Sequence, residues 1–397
     1  MAEKNKSGFH TVGDTDMEEY NRKIKEHRRK VLRRTVIVTA VFLLVLTGLG
    51  LYMALRHYEN YDIMSTAERS DTDATHFTEF QGNILKYSND GAFYLDAANE
   101  LIWSQTYEMS SPKLDTCGNY LSIYDKGGTK IYILTPTKLV GSIETTMQIQ
   151  QVCVAEQGTV AVLMKKDKAY LALYDREGNS LAEGEIHGQN GGYPIAIALS
   201  NDAVKLAVSM ININEGSVKS TIAFYNYGTV GQNEIDHCVG VNNYDDMVIP
   251  EMEFTSNDRM VAFGDTKAVI FEGAQKPQAI AEIPMDEKTK SIFYNEHYIG
   301  IVTGNEDEAV TNHLAVYDEN GKLVMEKDFG LDYSSIEFLT NNEICIRNAN
   351  VCDIYTVHGV YKFHHEFEEE LFEIIPGKLK LNYTLVLKDT TQRIRLK

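Results

Sequence analysis

Two patterns of apolar and polar positions divide this chain. Thr35 to Leu55, TVIVTAVFLLVLTGLGLYMAL, is apolar and uncharged throughout. From about residue 76 the pattern becomes alternation. Short runs rich in Val, Ile, Tyr and Phe alternate apolar and polar positions, and Gly, Asn and Asp separate the runs. A period of two is that of a half-buried strand. No strong amphipathic helix interrupts this grammar.

At about 1.5 Å per residue the first stretch forms a helix of roughly 31 Å. A bilayer core is about 30 Å thick, and a helix satisfies its own backbone polar groups in lipid. The expected order is a cytoplasmic basic tail at 1–34, a transmembrane helix at 35–55, a polar linker at 56–75 and an all-β domain at 76–397. Residues 1–20 are polar and expected to be irregular, while 17–34 can extend the helix. Residues 1–34 hold ten Lys+Arg and six Asp+Glu. Arg28, Arg29, Lys30, Arg33 and Arg34 abut the apolar run, and Arg56 stands alone beyond it. The positive-inside rule then puts the N-terminus in the cytoplasm and the bulk of the chain outside. Tyr52, Tyr58 and Tyr61 fit an interfacial aromatic belt. A cleaved signal peptide is the competing reading, but the basic region is long and no A-x-A site follows.

The strands repeat in groups. An apolar strand, a polar turn and a second strand recur at 91–103, 130–141, 171–183, 222–235, 268–280, 314–326 and 352–363. The residues that open these turns are Asp96, Thr135, Asp175, Asn226, Glu272, Asp318 and Thr356, spaced 38 to 51 apart. A second hairpin precedes each unit, so a repeat holds four short strands in about 40 residues, the period of a propeller blade. After Thr356 the chain offers three more strands and stops where the next turn would fall. The fold expected is an all-β propeller of eight four-stranded blades, the last incomplete. Seven blades with a terminal extension is the alternative.

The net charge is −19, and because residues 1–34 carry +4 the rest of the chain carries −23. Such a domain repels nucleic acid, so no nucleic-acid partner is expected. Five cysteines, Cys117, Cys153, Cys238, Cys345 and Cys352, are too few and odd in number for a disulfide framework. One pair stands out. A two-residue turn at Asn348-Ala349 would set Cys345 opposite Cys352 and allow a disulfide, whereas a three-residue turn would break that register. Two separate buried thiols are the other reading.

No nucleophile elbow, P-loop, H-E-x-x-H, C-x-x-C or EF-hand is present. Catalytic, cofactor and metal residues are therefore assigned to none. His364 and His365 are neighbours on one strand and point to opposite faces, which does not suit one metal. The acidic runs Glu366 to Glu370 and Asn305 to Glu308 are read as solvated loops that hold Ca²⁺ loosely at most. Trp103 takes a repeat position that is apolar elsewhere and is read as core. ALSNDAVKLAVSM at 198–210 resembles the WD40-like hairpin pattern LSPDGxxLA, with Asn201 for Pro and Ala203 for Gly.

Further segments are ILKYSNDG, YEMSSPKLDTCGNY with DKGGTKIYI, LVGSIETT, FYNYGTVGQNEIDHCVG, KSIFYNEHYIG and the terminal IRLK. In these the chain resembles a family of single-pass membrane proteins of Gram-positive, clostridial-type bacteria, with an extracytoplasmic WD40/quinoprotein-like propeller of unknown function. The resemblance spans nearly the whole chain and implies location and fold, with no catalytic residues to transfer. Two functions follow as expectations. The first is a non-catalytic binding or scaffolding module for an extracytoplasmic protein, peptide or cell-wall partner. The second is a cell-envelope hydrolase or lyase, which would require acids or His converging at the channel mouth with perturbed pKa values.

Overall fold

The computed structural model describes residues 14–70, 75–186, 192–214, 217–304 and 312–397. The acidic run at 305–308 and residues 1–13 lie outside them. The chain divides into two compact units, Met1–His57 and Tyr58–Lys397.

In the first unit one α-helix runs from Asp14 to Leu55, 42 residues without a break, so the basic segment and the apolar run are one element. Between Met17 and Tyr52 it is long and apolar enough to cross a membrane. The hydroxyls of Thr35 and Thr47 donate to the carbonyls of Val31 (3.0 Å) and Leu43 (2.8 Å) one turn back. Those hydroxyls thus need no water, which is what tolerates Thr in an apolar helix.

The second unit is a ring of eight four-stranded sheets. Blades 1 to 7 span 76–106, 112–144, 148–185, 193–245, 251–284, 289–329 and 335–366. Blade 8 takes three strands from 371–396. Strands pair antiparallel throughout, in sequence order in blades 1 to 7, and the first strands of neighbouring blades pack on one another around the axis. Apolar clusters fill the gaps between blades. Phe80, Leu85 and Tyr94 of blade 1 meet Leu121, Ile123 and Leu134 of blade 2. Val261, Phe263 and Ile270 of blade 5 meet Ile299 and Ile301 of blade 6. A blade's apolar face is covered only by its neighbour.

Polar side chains stitch some of these gaps. The Gln151 amide bonds both the N–H and the carbonyl of Ile197 (2.9 and 3.0 Å), joining blade 3 to blade 4. Buried Lys205 of blade 4 reaches Asp258 and the Ala274 carbonyl, each at 3.1 Å, in blade 5. Trp103 stacks on Tyr94 with centroids 5.3 Å apart and donates to the Thr135 carbonyl of blade 2 at 3.1 Å, a packing role as expected.

Three expectations are corrected. Residues 61–68 of the expected linker are a strand, Tyr61–Glu68, paired antiparallel with Thr390–Leu396. It supplies the outer strand of blade 8, so that blade is complete. Most of its side chains are exposed, which removes the alternation that marks half-buried strands. Tyr58 and Tyr61 are not a free aromatic belt. Tyr58 is buried in the cluster of blades 7 and 8, and Tyr61 packs against His365 (4.9 Å) and Phe367 (6.2 Å). The Cys345–Cys352 hairpin also turns one residue later than expected. Its loop is Ala349-Asn350, because the Asn348 side chain accepts the N–H groups of Asn350 (3.0 Å) and Val351 (2.8 Å). Cys345 therefore faces Ile354, and Cys352 faces Arg347.

The turns opened by Asp share one cause. Asp175 and Asp318 each accept two N–H groups of their own turn through Oδ1. Gly178 and Gly321 follow three residues later at φ +93° and +75°, where a Cβ is disfavoured. Asn99 takes the same left-handed place after Asp96, at φ 65°. Asp318→Ala is expected to lower stability by about 1 kcal/mol through the lost turn bonds, with Asp318→Asn losing less. Urea unfolding of the full chain measures this, and equal midpoints for Ala and wild type would contradict it.

Candidate functional site

The first strands of the blades end at one mouth of the axial channel. There a cavity of about 570 Å³ opens, lined from seven blades. Glu79 of blade 1, Asp115 and Cys117 of blade 2, and Glu253 of blade 5 line it, with Tyr294 and His297 of blade 6. Nearby, Glu337 of blade 7 and Glu373 of blade 8 share the Arg347 guanidinium at 3.3 Å each. Five blades thus bring carboxylates to the axis from their first strands.

Burial and crowding set the charge state of these acids. Burial pushes the Asp115 carboxyl up to about 7, although it accepts the Val154 N–H at 2.5 Å. Glu253 is held well above the ordinary carboxylate range by burial, then by the nearby charges of Asp115 and Glu251. The Tyr294 hydroxyl donates to Glu251 at 2.8 Å. Glu373 rises to about 8 through burial and Glu337, against the pull of Arg347. Glu79 is raised mainly by burial, and the Gly82 N–H it accepts works the other way. The Cys117 thiol is pushed up to about 12 by burial and by surrounding carboxylates, so it is protonated and not a ready nucleophile. The site therefore offers carboxyl groups that exchange protons near neutral pH and favour a positive charge in their midst.

None of these acids was among the residues singled out in the sequence. A signal exists nonetheless. Glu79-Phe80, Glu253-Phe254 and Glu337-Phe338 repeat an acid followed by Phe at the end of a first strand. The residues that were singled out lie elsewhere. His364 bonds Asp353 (2.7 Å), and His365 bonds the Glu59 carbonyl (2.9 Å), on separate partners. Glu369, in the run after blade 7, accepts from Asp389 and Thr390. At 198–210 the expected hairpin forms, and Ala203 adopts φ 55° where the pattern places Gly. Cys345 and Cys352 are buried in blade 7 as thiols, their sulfurs 3.6 Å apart. No group of three or more His, Cys, Asp or Glu among the described residues is arranged to hold a metal ion.

An eight-bladed ring with carboxylates gathered at one end of its channel defines this chain as a β-propeller with an acidic mouth. The chain belongs to DUF5711, a family of unknown function, which it matches over residues 54–396. The computationally designed Ika8 protein is similar in fold, with a TM-score of 0.51 at 10% identity over 86% of this chain and 100% of that one. BamB from Moraxella catarrhalis gives a TM-score of 0.48 at 11% identity, over 85% of this chain and 100% of its own. The β-propeller domain of Myceliophteria thermophila Cps50 (Swd1) gives 0.48 at 10% identity, again over 85% and 100%. At such identities the likeness concerns the fold alone. No curated protein matches the chain.

Asp115 and Glu373 bind protons more tightly folded than unfolded, from ordinary values of 3.8 and 4.5 up to about 7 and about 8. Their stabilising contribution is present below the unfolded values and is lost as pH rises through the folded ones. The urea midpoint of the full chain is expected to fall between about pH 5 and about pH 8, and Asp115→Asn with Glu373→Gln is expected to flatten the fall. An identical pH profile in wild type and variant would contradict it.

Proposed function

We propose that this protein is an extracytoplasmic propeller anchored in the cytoplasmic membrane of a Gram-positive bacterium. Its channel mouth is a non-catalytic receptor for a cationic group carried by a protein, peptide or cell-wall partner. The uncharged run at 35–55 and the basic cluster before it support the anchor and its orientation. One observation carries the binding reading. Glu253 lines the cavity beside Asp115 and has no hydrogen-bond or ion-pair partner among the described residues. An amine or guanidinium entering the cavity would supply the missing partner and relieve the repulsion between the two carboxyls.

The same pair favours a second reading, a hydrolase or lyase of the cell envelope. A carboxyl raised to about 7 beside another is suited to general acid–base work. Release of soluble fragments from isolated cell wall by the full chain, abolished in Asp115→Asn, would establish that reading over simple binding.

The binding reading predicts that the full chain in detergent micelles captures oligolysine and not oligoglutamate. Affinity should rise with pH through about 7 as Asp115 ionises, and Glu253→Gln should weaken it at least about tenfold, the scale of one charged hydrogen bond. Calorimetric titration measures this. Equal affinity in wild type, Asp115→Asn and Glu253→Gln would overturn it, because the peptide would then be held by the general negative charge of the surface.

A further inference from the structure

Cys345 and Cys352 lie on the second and third strands of blade 7, Ile344–Arg347 and Val351–Tyr355. The register places them two positions apart on one face of the hairpin, as diagonal neighbours. Both are fully buried, and their sulfurs are 3.6 Å apart. The other three cysteines sit in blades 2, 3 and 4, where Cys153 and Cys238 donate to the carbonyls of Ile197 and Gly240. The chain thus has one thiol pair already in contact, and its members are turned toward each other.

The hairpin they occupy is structurally consequential. Its loop carbonyls, of Ala349 and Asn350, accept the N–H groups of Leu371 and Phe367, each at 2.7 Å. Those residues carry the chain from blade 7 into the first strand of blade 8. The two cysteines also share an apolar cluster with Tyr58, Phe363, Phe367 and Tyr383, at the junction where the ring closes. A link between them would fix the hairpin on which the entry to blade 8 is hung.

We propose that Cys345 and Cys352 form a disulfide that staples blade 7 beside the closing blade. The assignment rests on the extracytoplasmic placement argued above, because such bonds persist in oxidising compartments. The oxidant is a disulfide, either of a thiol oxidoreductase or of glutathione. One cysteine thiolate attacks it to give a mixed disulfide and releases a first thiol. The second cysteine then displaces the second thiol. Two thiols of the protein become one S–S bond, and two protons and two electrons leave with the reduced oxidant. The sulfurs must close from 3.6 Å to about 2.05 Å, the length of the bond. Because both are buried in the folded ring, the exchange takes place while blades 7 and 8 are still open.

The test uses the full chain in detergent, equilibrated with mixtures of reduced and oxidised glutathione under mild urea that opens the ring transiently. Acid quenching, alkylation of the unfolded chain and trypsin digestion follow. Trypsin cuts after Arg347, so the bond joins two peptides and mass spectrometry reads it directly. The expected result is a linked pair containing Cys345 and Cys352, with Cys117, Cys153 and Cys238 alkylated. In Cys352→Ser the linked pair is lost and Cys345 alkylates fully. Alkylation of both cysteines at every ratio, oxidised glutathione alone included, overturns the proposal. The same readout on acid-quenched cells tests the compartment separately. A bond that forms in detergent and is absent in cells leaves the pairing standing and contradicts the outside placement.

Discussion

Closure of the ring is the constraint on which the rest of this structure depends. Each blade presents apolar side chains on both faces and can bury them only against its neighbours. A gap anywhere would expose two such faces at once. The propeller closes the gap with its own first and last strands. The strand Tyr61–Glu68 lies along Thr390–Leu396, and Phe77 of blade 1 stacks on Phe372 of blade 8 at 5.2 Å. Arg69, just beyond the closing strand, lies 4.2 Å over the Phe77 ring and donates to the Leu387 carbonyl at 2.7 Å. The closing strand therefore does more than complete a ladder, since Arg69 just after it also clamps blade 8 to blade 1.

The acidic channel mouth is a consequence of that closure. Asp115 and Glu253 are far apart in sequence and belong to blades that share no sheet. Only the ring brings their first strands to a common axis, where burial and mutual repulsion raise their proton affinity. A fold selected for stability alone would have little reason to keep like charges there. Elsewhere in the ring, one buried charge is fully matched. Lys362 reaches Glu343, the Tyr383 hydroxyl and the Lys380 carbonyl, tying blade 7 to blade 8. Lys362 is offset by a carboxylate of its own blade, whereas Asp115 and Glu253 at the mouth raise each other's proton affinity.

Much of the fold was legible because its signals are local. The turns after the third strands are written by polar residues and Gly, most plainly in Asp175 to Gly178 and Asp318 to Gly321, and the interval between such turns counts the blades. The closing strand was not legible, because its exposed side chains lack alternation and its partner lies more than three hundred residues away. The Cys345 hairpin was misplaced by one residue because a side chain, Asn348, chose the turn. Channel carboxylates escaped notice for a different reason. An acid on a strand looks like a solvated position until the ring places it at the axis. The recurring Glu-Phe at strand ends was the one trace it left.

Closure is tested most directly by joining the first and last strands of the propeller chemically. Asp62 and Arg395 are partners in the closing pair, and Thr391 stands at its far end, opposite Ala67. In the full chain, Asp62→Cys with Arg395→Cys is expected to form a bond under mild oxidation, mapped by mass spectrometry, whereas Asp62→Cys with Thr391→Cys is not. Failure of the first pair to link, or equal linking of both, would mean that the N-terminal strand does not close the eighth blade in this register.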